Sequence, residues 1–410
     1  MAKYLTLDDV EVKDKVVLVR VDFNSEIEPA TKRVTSDVRI RAHAESTIKE
    51  LAAKGAKTVV LAHQGRKGDP DYTPLKQHAE ILGKILKYPV QYVDDVFGDK
   101  AKKAITELKG GEILVLENVR SWDGETKSGA PEQQAKTELV QKLAPLADLF
   151  VNDAFAAAHR GHVSMVGFTA VLPSAAGRIM ERELKSLSRA LEKPEKPCVY
   201  VMGGAKADDS LEISKFVLGN GIADYVIVGG VTSQLFLAAK NVNLGEGNMA
   251  FLAKKELTVL IPGIKALIQQ YPDKILVPDD VALDVDGKRK EISIDKLPAK
   301  QSIFDIGSKT VKKYSDIISK AKSIVVSGPM GVYENKEFNY GTRKVFEAIA
   351  ASKAFSLAGG GNTIAAINEY GLSAKIGYIS TAGGALIEFL MGKKLPGVVA
   401  LETAVRTKKV

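Results

Sequence analysis

The sequence predicts an α/β protein with two doubly wound parallel-sheet (Rossmann-like) domains joined by a helical hinge. Short β-branched segments alternate with segments of helical period along the whole chain, which is typical of βαβ units. The chain has 410 residues, more than a single hydrophobic core usually supports, so two domains are expected. Its hydrophobic content of 45% and charged content of 26% are those of an ordinary globular protein.

The first half of the chain contains five apolar runs that we interpret as strands. These predicted strands are 16–23, 58–62, 90–93, 113–116 and 149–151. Helices are predicted between them at 37–54, 74–86, 100–108 and 131–143. Continuous apolar runs suit strands that are covered on both faces, so a buried parallel sheet is expected.

A helical segment at 180–191 lies between this pattern and a second one. Pro173 precedes it, and Pro194 and Pro197 follow it, which indicates a semi-rigid connector. The second half then repeats the strand pattern, with strands of a second parallel sheet predicted at 198–202, 224–228, 275–277, 302–306, 324–326, 354–357 and 376–379. We therefore expect domains over 1–176 and 197–385, with a hinge over 177–196.

Basic and amide side chains follow the strands of the first half. They are Arg20, Asp22 and Asn24 after the first strand, His63 and Arg66 after the second, Arg120 after the fourth, and His159, Arg160 and His162 after the fifth. Arg39 lies at a helix start, which also favours anions. Carboxyl ends of parallel strands meet at one sheet edge, and guanidinium groups bind phosphate and carboxylate bidentately. This pattern predicts a small, multiply charged anionic ligand; the alternative is that each arginine pairs with a local carboxylate.

The strands of the second half end in glycines instead. The glycines are Gly203 and Gly204, Gly229 and Gly230, Gly328, Gly360 and Gly361, and Gly383 and Gly384, with Lys206 beside the first pair. Glycine lets the backbone approach phosphates and present its N–H groups at helix starts, which indicates a nucleotide. A domain with a cationic edge and one with a glycine edge, facing each other across a hinge, would bring an anionic metabolite to a nucleotide.

Composition argues against several other classes of protein. The net charge is +8, but the aromatic residues do not interleave with the basic ones, so we expect no nucleic-acid partner. No apolar run approaches the ~20 residues that span a bilayer, the N-terminus does not read as a signal peptide, and the single cysteine, Cys198, suits a reducing compartment. We expect a cytoplasmic protein without a membrane partner. A non-catalytic polyanion-binding protein is the rival hypothesis, but it gives the glycine-rich edge no use.

Seven motifs, in this order along the chain, resemble those of the phosphoglycerate kinase family. They are Arg-Val-Asp-Phe-Asn at 20–24, His-Gln-Gly-Arg at 63–66, Glu-Asn-Val-Arg at 117–120, Asn-Asp-Ala-Phe at 152–155 with Ala-His-Arg at 158–160, Gly-Gly-Ala-Lys at 203–206, Gly-Pro-Met-Gly-Val-Tyr-Glu at 328–334 and Ser-Thr-Ala-Gly-Gly at 380–384. The resemblance covers nearly the whole chain, which makes it far more specific than any single motif.

The resemblance implies reversible phosphoryl transfer between 1,3-bisphosphoglycerate with ADP and 3-phosphoglycerate with ATP, using magnesium, domain closure and electrostatic stabilisation. It implies catalytic roles for Arg39, Lys206, Gly360 and Gly383, and glycerate binding by Arg20, Asp22, Asn24, Arg39, His63, Arg66, Arg120, His159 and Arg160. It implies nucleotide binding by Gly204, Lys206, Gly229, Gly230, Pro329, Glu334, Gly360, Gly361, Asn362, Thr363 and Gly384. It also implies that a segment over 386–410 returns to the first domain. A kinase of another phosphorylated acid is the closest competitor, and a monomer and a homodimer both stay open.

Three positions depart from the commoner family pattern. Ser210 stands where a second phosphate-binding lysine is usual, and Ser327 replaces an asparagine on the adenine side. Asn362 replaces an aspartate that approaches the metal. An amide oxygen coordinates a hard cation but contributes no charge, so Asn362 is expected to be a weak metal ligand, with most of the contact through nucleotide phosphates.

Overall fold

The computed structural model describes residues 3–407 and has the predicted α/β architecture. The first part of the chain forms β1 (Val16–Arg20), α1 (Val38–His43), α2 (Lys49–Ala53), β2 (Lys57–Leu61), α3 (Lys76–Leu86), β3 (Val90–Tyr92), α4 (Asp99–Glu107), β4 (Ile113–Val115), α5 (Pro131–Gln134), α6 (Glu138–Leu143), β5 (Leu149–Asn152), α7 (Val163–Val166), β6 (Ser174–Ala176) and α8 (Arg178–Leu191). The rest forms β7 (Cys198–Met202), α9 (Ala207–Gly219), β8 (Tyr225–Val228), α10 (Gly230–Ala239), α11 (Glu246–Lys254), α12 (Ile261–Gln270), β9 (Ile275–Leu276), β10 (Asp280–Val285), β11 (Lys288–Ser293), β12 (Ile303–Ile306), α13 (Ser308–Lys320), β13 (Ser323–Ser327), α14 (Tyr340–Ala351), β14 (Phe355–Gly359), α15 (Gly361–Glu369), β15 (Tyr378–Ser380), α16 (Gly384–Leu390) and α17 (Pro396–Thr407).

The chain divides into two compact units. The first unit runs to Leu184 and includes the segment from Lys394 onward, and the second unit is Lys185–Lys393. The first division therefore falls inside α8, within the segment predicted as the hinge. The return of the chain begins at Lys394 rather than at residue 386, because Leu386 and Leu390 of α16 are buried in the second unit.

The first unit is built on a six-stranded parallel sheet in the order β3-β4-β2-β1-β5-β6. Strands β1, β2, β4 and β5 are buried on both faces by separate apolar clusters, which explains their continuous apolar sequences. The chain crosses from β4 to β5 past the central strand, so the order reverses next to β1. Ligands bind at such a reversal in open α/β sheets.

Helix α17 packs against this unit behind the loop that follows β5. The backbone N–H of Gly397 donates to the Ala158 carbonyl at 2.9 Å, and Ala400 is buried with Ala154 and Met165. The returning segment therefore supports the loop that carries His159 and Arg160.

The second unit has its own six-stranded parallel sheet, in the order β15-β14-β13-β7-β8-β9. The prediction that residues 302–306 belong to this sheet is wrong. They form β12, which pairs antiparallel with β10 in a separate three-stranded sheet. The hairpin of β10 and β11 turns at Asp286 and Gly287, both with positive φ, as a two-residue hairpin turn requires.

Local boundaries also differ from the sequence pattern in the first unit. The predicted helix at 131–143 is broken into α5 and α6, and the short strand β6 had no signal in the sequence. The predicted helix at 37–54 is continuous but contains a π-helical stretch at 44–48 between α1 and α2. Among residues 3–407, no helix has the length and apolar character needed to cross a bilayer.

Candidate active site

A cleft of about 360 Å³ opens at the carboxyl edge of the first sheet. Its cationic lining comes from Arg66 after β2, Arg120 after β4 and Arg160 after β5. The rest of the lining consists of Lys67, Trp122, Asp123, Thr126 and His162. Strand ends that are far apart in sequence thus bring three of the five arginines predicted at this edge to one cavity, and the other two, Arg20 and Arg39, do not border it.

His63 lies among the guanidinium groups and shows how closely they gather. Burial, and then the charges of Arg20, Arg120, Arg160 and Arg39, hold the pKa of His63 well below its usual value. The imidazole is therefore neutral at physiological pH. It contacts the Arg20 guanidinium at 3.0 Å, between Nδ1 and Nη2, so its accepting nitrogen faces a permanent cation.

Arg120 borders the cleft and keeps one buried donor unsatisfied. Its side chain is only 7% exposed, and its Nε has no hydrogen-bond partner among the residues that the structure describes. Burial, followed by the charges of Arg20 and Arg160, lowers the pKa of Arg120 to about 10. A buried, unpaired donor beside like charges costs free energy, and an anion in the cleft would offset the repulsion among the guanidinium groups.

Arg20 is turned away from the cleft and acts inside the protein. It is 1% exposed, and its Nε donates to the Ser164 hydroxyl at 2.8 Å. That hydroxyl in turn donates to the Glu125 carboxylate at 2.6 Å. Burial raises the pKa of Glu125, and its interaction with Arg20 opposes this shift. Arg20 is thus held by a buried network with Ser164, Glu125 and His63.

Asp22 and Asn24 organise the loop that follows β1. The Asp22 carboxylate forms an ion pair with Arg39 and accepts the Asn24 backbone N–H at 3.0 Å. The Asn24 amide oxygen accepts the Gly65 N–H at 2.8 Å, which ties this loop to the one after β2. The side chain of Arg39 is 37% exposed, so its guanidinium is anchored at one side and open at the other.

The second unit holds a larger cavity, of about 490 Å³, at the carboxyl edge of its sheet. Backbone of the glycine-rich turns lines it, together with Lys206 and Thr363. The glycine positions in the lining are Gly203, Gly204, Gly328, Gly360, Gly361, Gly383 and Gly384. The turns after β7 and β13 meet here, where the strand order of this sheet reverses.

Hydrogen bonds lock these turns together. Gly204 N–H donates to the Pro329 carbonyl at 2.7 Å, and Gly328 N–H donates to the Thr363 hydroxyl at 2.7 Å. A Cβ at position 328 would lie 2.1 Å from the Gly203 carbonyl oxygen, and φ is +94° there, so only glycine fits. The cavity is therefore preformed by close backbone contacts.

A smaller cavity of about 170 Å³ shares part of this lining. Gly204, Pro329 and Asn362 border both cavities, and Gly230 and Glu334 border the smaller one. Gly230 N–H donates to the Met330 carbonyl at 2.7 Å, which fixes the turn after β8 against the turn after β13. The two cavities are adjacent and share lining residues, which suits an extended ligand.

Comparison with known protein families shows which family the chain belongs to. A model of the phosphoglycerate kinase family matches residues 7–393. The chain belongs to the phosphoglycerate kinase family. The resemblance inferred from the sequence motifs is confirmed.

Relatives and solved structures agree with this membership. The phosphoglycerate kinase of Methanobacterium bryantii is 49% identical over 405 residues, covering 99% of this chain and 98% of that protein. That of Methanothermobacter thermautotrophicus is 48% identical, covering 98% and 97%. The crystal structure of phosphoglycerate kinase from Pyrococcus horikoshii OT3 is similar with a TM-score of 0.88 at 40% identity, covering 98% of this chain and all of that one.

Three charged residues of the larger cavity were not predicted from the sequence. Asp209, Glu388 and Lys393 line the larger cavity, although none belongs to a quoted motif. Burial raises the pKa of Asp209, and Lys206 and Lys393 oppose the shift. The position of Asp209, one helical turn from Lys206, was the only available signal.

Gly229 has a different environment from the other glycines of the phosphoglycerate kinase motifs. It does not border either cavity, and a Cβ there would lie 2.4 Å from the Met330 sulfur. Its small size allows the turn after β8 to pack against Met330. Gly229 thus shapes the lining from behind.

Proposed function

We propose that this chain catalyses reversible phosphoryl transfer between 1,3-bisphosphoglycerate with ADP and 3-phosphoglycerate with ATP. The cleft of the first unit carries the proposal, because Arg66, Arg120 and Arg160 line it together. A ligand with both a phosphate and a carboxylate suits this density of guanidinium groups. Family membership supports the same substrates.

The glycerate ligand is proposed to bind through the cationic cleft and the loops beside it. Arg66, Arg120 and Arg160 contact its charged groups directly, and Arg39 reaches it from the Asp22 ion pair. Arg20, Asp22, Asn24, His63 and His159, which the sequence also assigns to the ligand, are proposed to hold those residues in place as well. Arg66, Arg120 and Arg160 line the cleft, the others are engaged within the protein, and the role of Arg39 rests on its half-open guanidinium.

The nucleotide is proposed to occupy the two cavities of the second unit. Gly230, Pro329 and Glu334 border the adenosine part, with Gly229 behind them. The phosphates lie along the larger cavity, where Lys206 and Thr363 join the backbone of Gly204, Gly360, Gly361, Gly383 and Gly384. Backbone N–H groups at helix starts stabilise phosphate oxygens there.

The larger cavity contains oxygen donors that fit a nucleotide-bound magnesium ion. Asn362, Asp209 and Glu388 would hold it together with the nucleotide phosphates, which matches the preference of magnesium for a few carboxylates plus substrate oxygens. The ion would neutralise phosphate charge. Among residues 3–407, no group of three or more His, Cys, Asp or Glu side chains is clustered as a metal site.

The proposed mechanism is positioning and charge stabilisation without a protein nucleophile. Phosphoryl transfer requires in-line placement of donor and acceptor and neutralisation of the equatorial oxygens. Arg39 and Lys206 supply that charge, from the glycerate side and the nucleotide side. No general base is needed, since the acceptor is already anionic in both directions. Domain closure, which would exclude water from the acyl phosphate, stays a prediction. A cytoplasmic location is proposed as well.

The test is turnover of 3-phosphoglycerate and MgATP in an assay coupled to NADH oxidation. Activity should require substrate, nucleotide and metal, each omitted in turn. Arg39→Ala should lose most of its turnover while still binding 3-phosphoglycerate. A folded wild-type protein that binds the metabolite without turnover would support the polyanion-binding alternative instead, and turnover of another phosphorylated acid in preference would reassign the substrate.

A further inference from the structure

A buried histidine and aspartate connect the loop after β1 to the start of α8. His43, the last residue of α1, is 4% exposed, and its Nδ1 lies 2.6 Å from the Oδ2 of Asp153. On its other side, Nε2 of His43 accepts the backbone N–H of Asp22 at 3.1 Å. Neither His43 nor Asp153 borders the cationic cleft.

These two contacts fix the hydrogen positions on the imidazole. Nε2 accepts a hydrogen bond and therefore carries no proton, so the proton lies on Nδ1 and is donated to Asp153. The ring is neutral and can satisfy both neighbours only as this tautomer. A hydrogen bond from the backbone of Asp22 to a fixed ring restrains the conformation of the loop after β1.

We propose that His43 is a positioning residue for Arg39. The His43 ring fixes the backbone of Asp22, and the Asp22 carboxylate binds the Arg39 guanidinium. The inference rests on the proposed function, in which Arg39 supplies charge to the transferred phosphoryl group. Misplacement of such a charge by about 1 Å is enough to lower turnover by up to roughly a hundredfold.

The same aspartate also holds the helix through which the chain leaves the first unit. Oδ1 of Asp153 accepts the N–H groups of Ile179 and Met180 at 2.8 and 3.3 Å, in the first turn of α8. Gly177 passes so close that a Cβ there would lie 2.3 Å from this oxygen. One carboxylate thus restrains both His43 and the start of α8, so the position of Arg39 depends on that helix end.

Two substitutions separate the two contacts of His43. His43→Asn retains a donor near the Nδ1 position for Asp153 and removes the acceptor for Asp22. His43→Gln places an amide oxygen near the Nε2 position and keeps that acceptor. We expect His43→Asn to lower kcat by about ten- to a hundredfold with an unchanged KM for MgATP, and His43→Gln to keep most of the wild-type kcat. Equal kcat in His43→Asn and wild type would overturn the proposal.

A double-mutant cycle distinguishes positioning from a general structural effect. In an Arg39→Ala background, His43→Asn should cost little further turnover, because the group that it positions is gone. The control is Ile48→Val, which trims a buried side chain in the adjoining π-helical stretch and should leave kcat unchanged. A full loss of turnover from His43→Asn in both backgrounds would refute the positioning role. Normal turnover of Arg39→Ala would instead refute the role that the proposed function gives to Arg39.

The tautomer of the wild-type ring provides a test that does not depend on turnover. Nitrogen-15 spectra of the wild-type imidazole side chains, with His43→Gln used to assign the signal, should show a neutral Nδ1–H ring for His43. An Nε2–H tautomer would remove the hydrogen bond to Asp22 and overturn the proposal, even if His43→Asn does not fold.

Discussion

Replacing Arg120 should make the unliganded protein more stable and the glycerate site weaker. Arg120 is buried beside Arg20 and Arg160, and its Nε is unpaired among the described residues. These features indicate a group that serves ligand binding and lowers the stability of the unliganded protein. Arg120→Met keeps most of the apolar stem and removes the charge and the unpaired donor.

The magnitude follows from the lowered pKa and from one hydrogen bond. A guanidinium pKa of about 10 instead of 12.5 corresponds to about 3 kcal/mol against the folded state, since the group is protonated in both states at pH 7. The guanidinium borders an open cleft, so solvent screening reduces this to about 2 kcal/mol. Loss of the hydrogen bond from Arg120 to the Gly65 carbonyl offsets about 1 kcal/mol. The free energy of unfolding should rise by about 1 kcal/mol, or Tm by roughly 2–4 °C.

The effect on binding has the opposite sign. A charge-assisted hydrogen bond to an anion contributes about 1.5–3 kcal/mol, so the KM for 3-phosphoglycerate should rise roughly ten- to a hundredfold. Trp122, the single tryptophan of the sequence, borders the same cleft, so its fluorescence reports both urea unfolding of the first unit and ligand binding. The matched control is Arg33→Met, at an exposed arginine of the same unit. An Arg120→Met protein that is less stable than wild type by more than about 1 kcal/mol, or whose KM is unchanged, would refute the reasoning.

Three further predictions concern other parts of the molecule. Burial lowers the pKa of His78 to about 4, so stability that is present above pH 6.5 is lost as the pH falls toward 4. His78→Gln should remove about 2 kcal/mol of that loss at pH 5. If urea unfolding shows the same loss of stability between pH 7 and pH 5 in both proteins, the prediction is wrong. Gly177→Ala should cost about 1–3 kcal/mol in urea unfolding, because the new Cβ meets Asp153, whereas Gly247→Ala, with its nearest atom at 3.7 Å, should not destabilise. Asn362→Asp should lower the magnesium concentration that gives half-maximal turnover, and an unchanged requirement would exclude this side chain from the metal site.

The elements that could be predicted are those whose apolar pattern is visible in a short stretch of sequence. Buried strands such as β1 and β5 carry their burial in consecutive apolar residues, and their C-terminal ends point to the site because parallel strands share one edge. Strand β6 has only three residues, and its pairing partner β5 decides its conformation. The hairpin of β10 and β11 is polar along β11, so its pairing also depends on tertiary contacts.

The sequence predicts which charged residues belong to the site, but not which way their side chains point. Arg20 was expected to contact a ligand, and its hydrogen bond to Ser164, 144 residues away, could not be foreseen from a local pattern. His43 and Asp153 are 110 residues apart, so no local pattern could associate them. Side-chain direction depends on contacts across the sheet, and these exist only once the strands are in order.

The return of the chain through α17 has a consequence for biosynthesis. A ribosome must complete the whole second unit before it makes the helix that supports the loop of His159 and Arg160. The second unit is continuous in sequence and can fold as soon as it emerges. In the first unit, Ala154 and Met165 stay partly exposed until Ala400 of α17 has been synthesised and packs against them. The unit whose synthesis begins first is therefore the one whose folding finishes last.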